Sequence, residues 1–272
     1  MKHFLLWPLI LPLAAAGSAS GALLFSDNFN APDIANLDQS DQTGRRSGSN
    51  TQIQVRSSRI QHGIVGNQLD FLTTGTGRIR FHDDPDNNTT TPGTWHDWAA
   101  GPDGVAILAA GGFRVEFDWI AGNSTSPNWV SVNTGITGPG APEPPFRVNH
   151  GETDIGMLFR FNGDTELFDN GVNLGAQGSF SPTIGNRHLV LDYHFNSFAN
   201  GSPVSLVASV DGTEVYNGSG FTWDNNGGEF YFEIGTLEST RLDNVAISTI
   251  PEPSGVLLCG LGGVSLLLRR RR

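Results

Sequence analysis

The chain has 272 residues, of which 16% are charged and 38% hydrophobic, with a formal net charge of −11. Its 17 Phe and 6 Trp supply enough apolar surface for a core and exclude a disordered chain, while 35 Gly without a three-residue period exclude collagen. A single cysteine excludes a disulfide scaffold, and the acidic balance excludes nucleic acid as a partner, because phosphate binding needs clustered Lys and Arg.

The basic residues are placed unevenly. Lys2 and Arg269, Arg270, Arg271 and Arg272 make up five of the 16 and sit at the two extremes. Residues 1–22 form a signal peptide by pattern. Lys2 and His3 give a positive start, Phe4 to Ala16 is apolar, and the small residues from Ala14 to Ala22 offer a cleavage site for signal peptidase between Ala19 and Ala22. Pro8 and Pro12 would interrupt a core helix at this position.

The body, residues 23–250, has a length suited to one all-β domain. Alternation predicts its strands. Phe113, Val115, Phe117 and Trp119 point one way and Arg114, Glu116 and Asp118 the other. The same period places Leu189, Leu191, Tyr193 and Phe195 opposite His188, Val190, Asp192 and His194, and Val204, Leu206, Ala208 and Val210 opposite Ser205, Val207 and Ser209. Phe230, Phe232 and Ile234 alternate with Glu229, Tyr231 and Glu233. Shorter strands are predicted at 53–55, 69–72, 78–82, 130–133, 156–161 and 242–248. Asp211-Gly212 reads as a hairpin turn, and Asn162-Gly163 and Asn170-Gly171 frame another short strand. No segment sustains helical periodicity for three turns. One apolar face per strand requires two stacked sheets, an antiparallel β-sandwich.

After the body, Ile250-Pro251-Glu252-Pro253-Ser254 precedes an apolar run, Gly255 to Leu268, and then the four arginines. Fourteen residues span about 21 Å as a helix, short of the ~30 Å hydrocarbon core. The arginines cannot enter a protein core and suit a cytoplasmic membrane face. Pro251, Glu252 and Pro253, the short Gly/Leu-rich span and the Arg cluster together resemble the PEP-CTERM sorting signal of Gram-negative, exopolysaccharide-producing bacteria. That resemblance, confined to residues 250–272, implies a transient transmembrane helix at about 255–268. It also implies cleavage near Pro251–Pro253 by a membrane-embedded exosortase, and delivery to the cell surface or extracellular matrix. Segment 251–272 is then a sorting and anchor segment. Without the two ends, the body carries 11 Arg against 26 acidic residues, a formal charge of −15.

Within the body, Leu24 to Asn30 and Arg241 to Ser248 resemble the first and last strands of concanavalin-like or laminin-G-like jelly rolls, in which the ends of the domain pair. Ser209 to Tyr216 is similar to a late hairpin of that group, and Met157 to Gly163 to a middle strand. The resemblance implies a jelly roll that binds sugars or proteins. The predicted architecture is therefore a single concanavalin-like sandwich, flanked by an N-terminal signal helix and a short C-terminal transmembrane helix.

On that fold, a few residues are candidates for chemistry. Glu116 and Asp118 occupy alternate strand positions, as do the catalytic acids of jelly-roll glucanases. The third carboxylate of Glu-x-Asp-x-Glu is missing, since Trp119, Ile120 and Ala121 follow. His188 and His194 lie too far apart along one strand to share an ion, leaving only Asp192 beside His194. Candidate calcium ligands are Asp83, Asp84 and Asp86 in an oxygen-rich loop, or Asp27 and Asp243 in the terminal strands; no cofactor is required. Trp95, Trp98, Trp129 and Trp223 stand in or beside Gly/Pro/Asn-rich loops and are the candidate sugar-stacking residues. The expected function is that of a secreted, exosortase-sorted, non-catalytic surface protein associating with exopolysaccharide. The alternative is a hydrolase or lyase acting on polysaccharide.

Overall fold

The alternating segments become strands that pair antiparallel throughout. A computed structural model describes residues 21–30, 33, 37, 53–58, 62–71, 75–83, 95–121, 128–135, 148–149, 151, 153–181, 185–224, 229–237 and 240–251. In chain order the strands are β1 (Leu23–Asp27), β2 (Ile53–Ser58), β3 (His62–Val65), β4 (Gln68–Phe71) and β5 (Thr76–Asp83). After helix α1 (Gly101–Ala110) come β6 (Gly112–Ala121), β7 (Trp129–Thr134), β8 (Ile155–Arg160), β9 (Asp164–Asp169) and β10 (Val172–Ser179). The series ends with β11 (Asn186–His194), β12 (Pro203–Val210), β13 (Thr213–Thr222), β14 (Phe232–Leu237) and β15 (Thr240–Thr249).

Two sheets result. One runs β13-β12-β11-β6-β15-β4-β3, with β1 also paired to β15; the other runs β10-β9-β8-β7-β14-β5-β2. The pairing of β1 with β15 brings the two ends of the body together, with Asp27 opposite Val245. Inward residues of both sheets meet in one core. Phe113, Phe117, Leu191 and Tyr193 from the first sheet join Val132, Phe159, Phe232 and Ile234 from the second, all essentially without exposure. Phe113 stacks on Tyr193 with centroids 4.8 Å apart and lies against Phe232 at 5.8 Å, so aromatic contacts cross between the sheets. Each such ring contributes about 1.5–3 kcal/mol by leaving water.

Turn chemistry sets the registers. Asp211 and Gly212 both have positive φ, 50° and 75°, the conformation of a type I′ turn that matches strand twist. Only a residue pair tolerant of left-handed backbone fits there, and it fixes Val210 opposite Thr213. Asn170-Gly171 does the same between β9 and β10.

Helix α1 goes beyond the strand-only expectation for the body. Pro102 starts it, Asp103 lies in its first turn, and Gly111 ends it in the left-handed conformation. It has ten residues, too few to establish a three-turn pattern. Ile107 packs into the core while Val105 and Leu108 stay exposed. The side of β14 away from the core also differs from a solvated face, because Tyr231 and Glu233 are buried there rather than open to water.

Gly21–Ile250 form one unit. Residues 1–20 and 252–272 lie outside the described residues, and with them most of the expected signal helix, Glu252, Pro253, the 255–268 span and Arg269 to Arg272. Among the described residues no helix is long and apolar enough to cross a membrane.

Candidate functional site

The outward side of the seven-stranded sheet is where polar and aromatic side chains gather. Pleating turns Trp129, Ser131 and Asn133 of β7 outward, since Val130 and Val132 face the core. Antiparallel registers then place Arg160 beside Trp129, Leu158 beside Ser131 and Gly156 beside Asn133. The next strand adds Glu166 opposite Leu158 and Phe168 opposite Gly156, and the last adds Asn173 opposite Phe168.

This face carries an open cavity of about 440 Å³, lined by Thr76, Trp129, Val148, Asn149, Leu158, Arg160, Glu166, Phe168 and Asn173. Its apolar base is a separate small cluster of buried Val148, Leu158 and Phe168, with half-buried Trp129 packed against it. Its polar wall is tied together. Arg160 Nε donates to Glu166 Oε1 at 2.6 Å, and Asn173 Nδ2 donates to Glu166 Oε2 at 3.2 Å. The Arg160 hydrogen bond holds the Glu166 carboxyl below its ordinary range, against a smaller opposing effect of burial. A mostly apolar hollow with a few fixed polar groups is the usual form of a small-ligand site.

Toward β5 the same face becomes charged and closed. Glu233 is fully buried; Arg80 Nε donates to its Oε2 at 3.0 Å and Arg78 Nε stands 3.9 Å from its Oε1. Burial pushes the Glu233 carboxyl up to about 7, opposed by the charges of Arg80 and Arg78. Ser131 Oγ and Asn133 Oδ1, also buried on this side, have no hydrogen-bond partner among the described residues. Gly235 leaves room for them, since a Cβ there would lie 2.8 Å from Ser131 Oγ.

The four candidate tryptophans divide. Trp129 lines the cavity. Trp95 is half-buried on the same face; the Arg80 guanidinium lies 3.9 Å from its ring centroid, and Tyr231 meets it edge-on at 5.8 Å. Trp98 and Trp223 are core residues with 1% and 0% exposure. Trp98 packs against Phe81 and Phe232, and Trp223 against Phe195 and Phe230, so protein already occupies the ring faces that a sugar would need. The loop positions of these two hide the fact that indoles plug the core.

Of the acidic candidates, Asp118, Asp192 and Asp83 have partners. Asp118, on the opposite sheet, accepts from His188 Nδ1 at 2.9 Å and from Asn244 Nδ2 at 2.8 Å. Glu116 lines a second hollow of about 280 Å³ together with Asp27, Asn28 and Asn244. Asp192 takes two bonds from Arg114, at 2.7 and 2.8 Å, and so is engaged away from His194. Asp83 is paired with His96 at 2.7 Å, while Asp84 and Asp86 lie outside the described residues. Burial raises the Asp243 carboxyl, helped by the charges of Asp118 and Asp27. Among the described residues no group of three or more His, Cys, Asp or Glu is placed to hold a metal ion.

No protein-family model matches the sequence, and neither does any curated protein. Solved structures do resemble the fold. A Trypanosoma rangeli sialidase in complex with 2,3-difluorosialic acid matches with a TM-score of 0.51 and 15% identity, over 87% of this chain and 32% of that one. The chain thus spans about a third of the sialidase's length. The Emp46p carbohydrate recognition domain matches with a TM-score of 0.45 and 8% identity over 83% of this chain and 98% of that one, and a human SPRY domain with 0.40 and 9% over 69% and 95%. At 15% identity the likeness to the sialidase shows a shared two-sheet β-fold.

Proposed function

We propose that this protein is an exported, surface-sorted bacterial protein whose β-sandwich holds a glycan in the cavity beside Trp129 without turning it over. The observation that carries the reading is the cavity itself. A half-buried indole on an apolar base, bordered by Arg160, Glu166, Asn149 and Asn173, offers a sugar both a stacking surface and directional hydrogen bonds. The non-catalytic reading rests on Glu166. Most glycoside hydrolases use two carboxyl groups, one of them able to donate a proton. Glu166 is the one acid among the described lining residues, and the hydrogen bond from Arg160 favours its ionised form.

The ends supply the address. Met1 to Ala22 is the export signal read by signal peptidase, and Pro251-Glu252-Pro253 with the following apolar run and arginines is the exosortase signal. The protein is anchored in the inner membrane in passing and then associates with envelope or matrix exopolysaccharide at the cell surface. Calcium is not needed for this reading.

A glycan array probed with the wild type and Trp129→Ala tests the binding reading. The variant is expected to lose about tenfold or more in affinity while keeping its fold. Equal binding by both proteins sinks the site, and release of shortened glycan sinks the non-catalytic reading. Mass spectrometry of the native termini tests the sorting; an intact Arg272 on the mature surface form would contradict it.

A further inference from the structure

We infer that the cavity selects uncharged oligosaccharides and discriminates against uronic and other acidic glycans. The inference rests on the glycan-binding reading above and adds the class of ligand. The described lining residues include one cation and one anion, and these are bonded to each other at 2.6 Å. Both oxygens of Glu166 are engaged, one by Arg160 and the other by Asn173, so the pair presents no net charge to an incoming sugar. Arg160 bonds through Nε, which leaves its terminal N–H groups as donors for hydroxyls. Thr76, Asn149 and Asn173 add uncharged donors and acceptors, and Trp129 adds an apolar face.

The surroundings act in the same direction. The body carries 11 Arg against 26 acidic residues, so its field repels a polyanion before contact. A carboxylate brought beside Glu166 would give up hydration and meet a guanidinium whose charge is already balanced. A neutral pyranose meets neither cost. The volume of about 440 Å³ falls in the range of small-ligand pockets, about 300–1,000 Å³, so a short segment of a chain is read rather than its full length.

Isothermal titration of the purified full chain in a non-glycosidic detergent tests this. The probes are neutral gluco-, xylo- and manno-oligosaccharides set against galacturonate and alginate oligomers. Neutral oligomers are expected to bind with a Kd that moves less than about twofold between about 50 and 500 mM NaCl. Acidic oligomers are expected to bind about tenfold more weakly or worse. Glu166→Gln leaves Arg160 unbalanced, so acidic oligomers should gain about tenfold at low salt and lose that gain at high salt. The double variant Arg160→Gln/Glu166→Gln should return to neutral selectivity. Tight, salt-sensitive binding of uronates by the wild type overturns the inference while leaving the glycan site standing. Absence of binding by every probe, or full binding by Trp129→Ala, overturns the site itself. If Glu166→Gln does not fold, the salt dependence of the wild type decides the matter.

Discussion

Asp154 gives the sharpest quantitative test of the packing. It is 3% exposed and sits where three parts of the sandwich meet. Its backbone N–H donates to the Thr134 carbonyl, its own carbonyl accepts from Asn170, and its Oδ2 accepts from the Asp224 N–H at 3.0 Å. Burial pushes its carboxyl from 3.8 up to about 7; the Asp224 N–H opposes this, and the Asp224 and Asp169 carboxylates reinforce it. Below about pH 3 both folded and unfolded chains hold the proton, and the full stability is present. As pH rises toward 7 the unfolded chain releases it while the folded chain keeps it, so stability falls, and the loss is complete above the folded value. At about 1.4 kcal/mol per pH unit the change is roughly 2–4 kcal/mol for a group this buried. Asp154→Asn removes the titration yet keeps a carbonyl oxygen for the Asp224 N–H. Urea unfolding of both proteins between about pH 4 and 8 should show the variant gaining on the wild type by that amount across the interval. Titrating groups that do not interact with Asp154, including Glu233, are common to both and cancel. A difference that is flat with pH, or that favours the wild type at high pH, would refute the reasoning.

Three further outcomes follow from the geometry. Gly112→Ala should lower stability by about 3 kcal/mol or more, read as a drop in Tm, because φ is +143° and the added Cβ would lie 1.9 Å from the Tyr193 carbonyl oxygen. Trp223→Ala should cost about 3–5 kcal/mol in urea unfolding, unlike Trp129→Ala, whose effect should fall on binding, since Trp223 has no exposure and packs on Phe230 at 4.9 Å. Asp192→Asn should cost about 1 kcal/mol, less at high salt, because it weakens the paired bonds from a partly exposed Arg114.

Alternation made the central strands legible. In β6, Phe113, Val115, Phe117 and Trp119 are buried and Arg114, Glu116 and Asp118 are not, as the two-residue period requires. The match between β1 and β15 was legible through likeness to terminal jelly-roll strands. The cavity was not. Trp129 stood out as an indole near a loop, but Arg160, Glu166, Phe168 and Asn173 reach it through registers of adjacent strands that local pattern does not carry. The strand around Glu166 was visible; which of its neighbours faced the same way was not. The burial of Glu233 was not legible either, because period places a residue on a face without saying whether that face is covered. Here Arg78 and Arg80 from β5 cover it. Helix α1 carried a readable signal in Pro102, Asp103 and Gly111, masked by its length of ten residues.

The most direct test of glycan binding at this site is a crystal structure of the protein with a bound neutral oligosaccharide. A sugar ring lying on the Trp129 indole, with hydroxyls on Arg160, Asn149 or Asn173, is the predicted result. Density on the opposite sheet around Glu116 and Asn244, with the Trp129 cavity holding solvent alone, would contradict it.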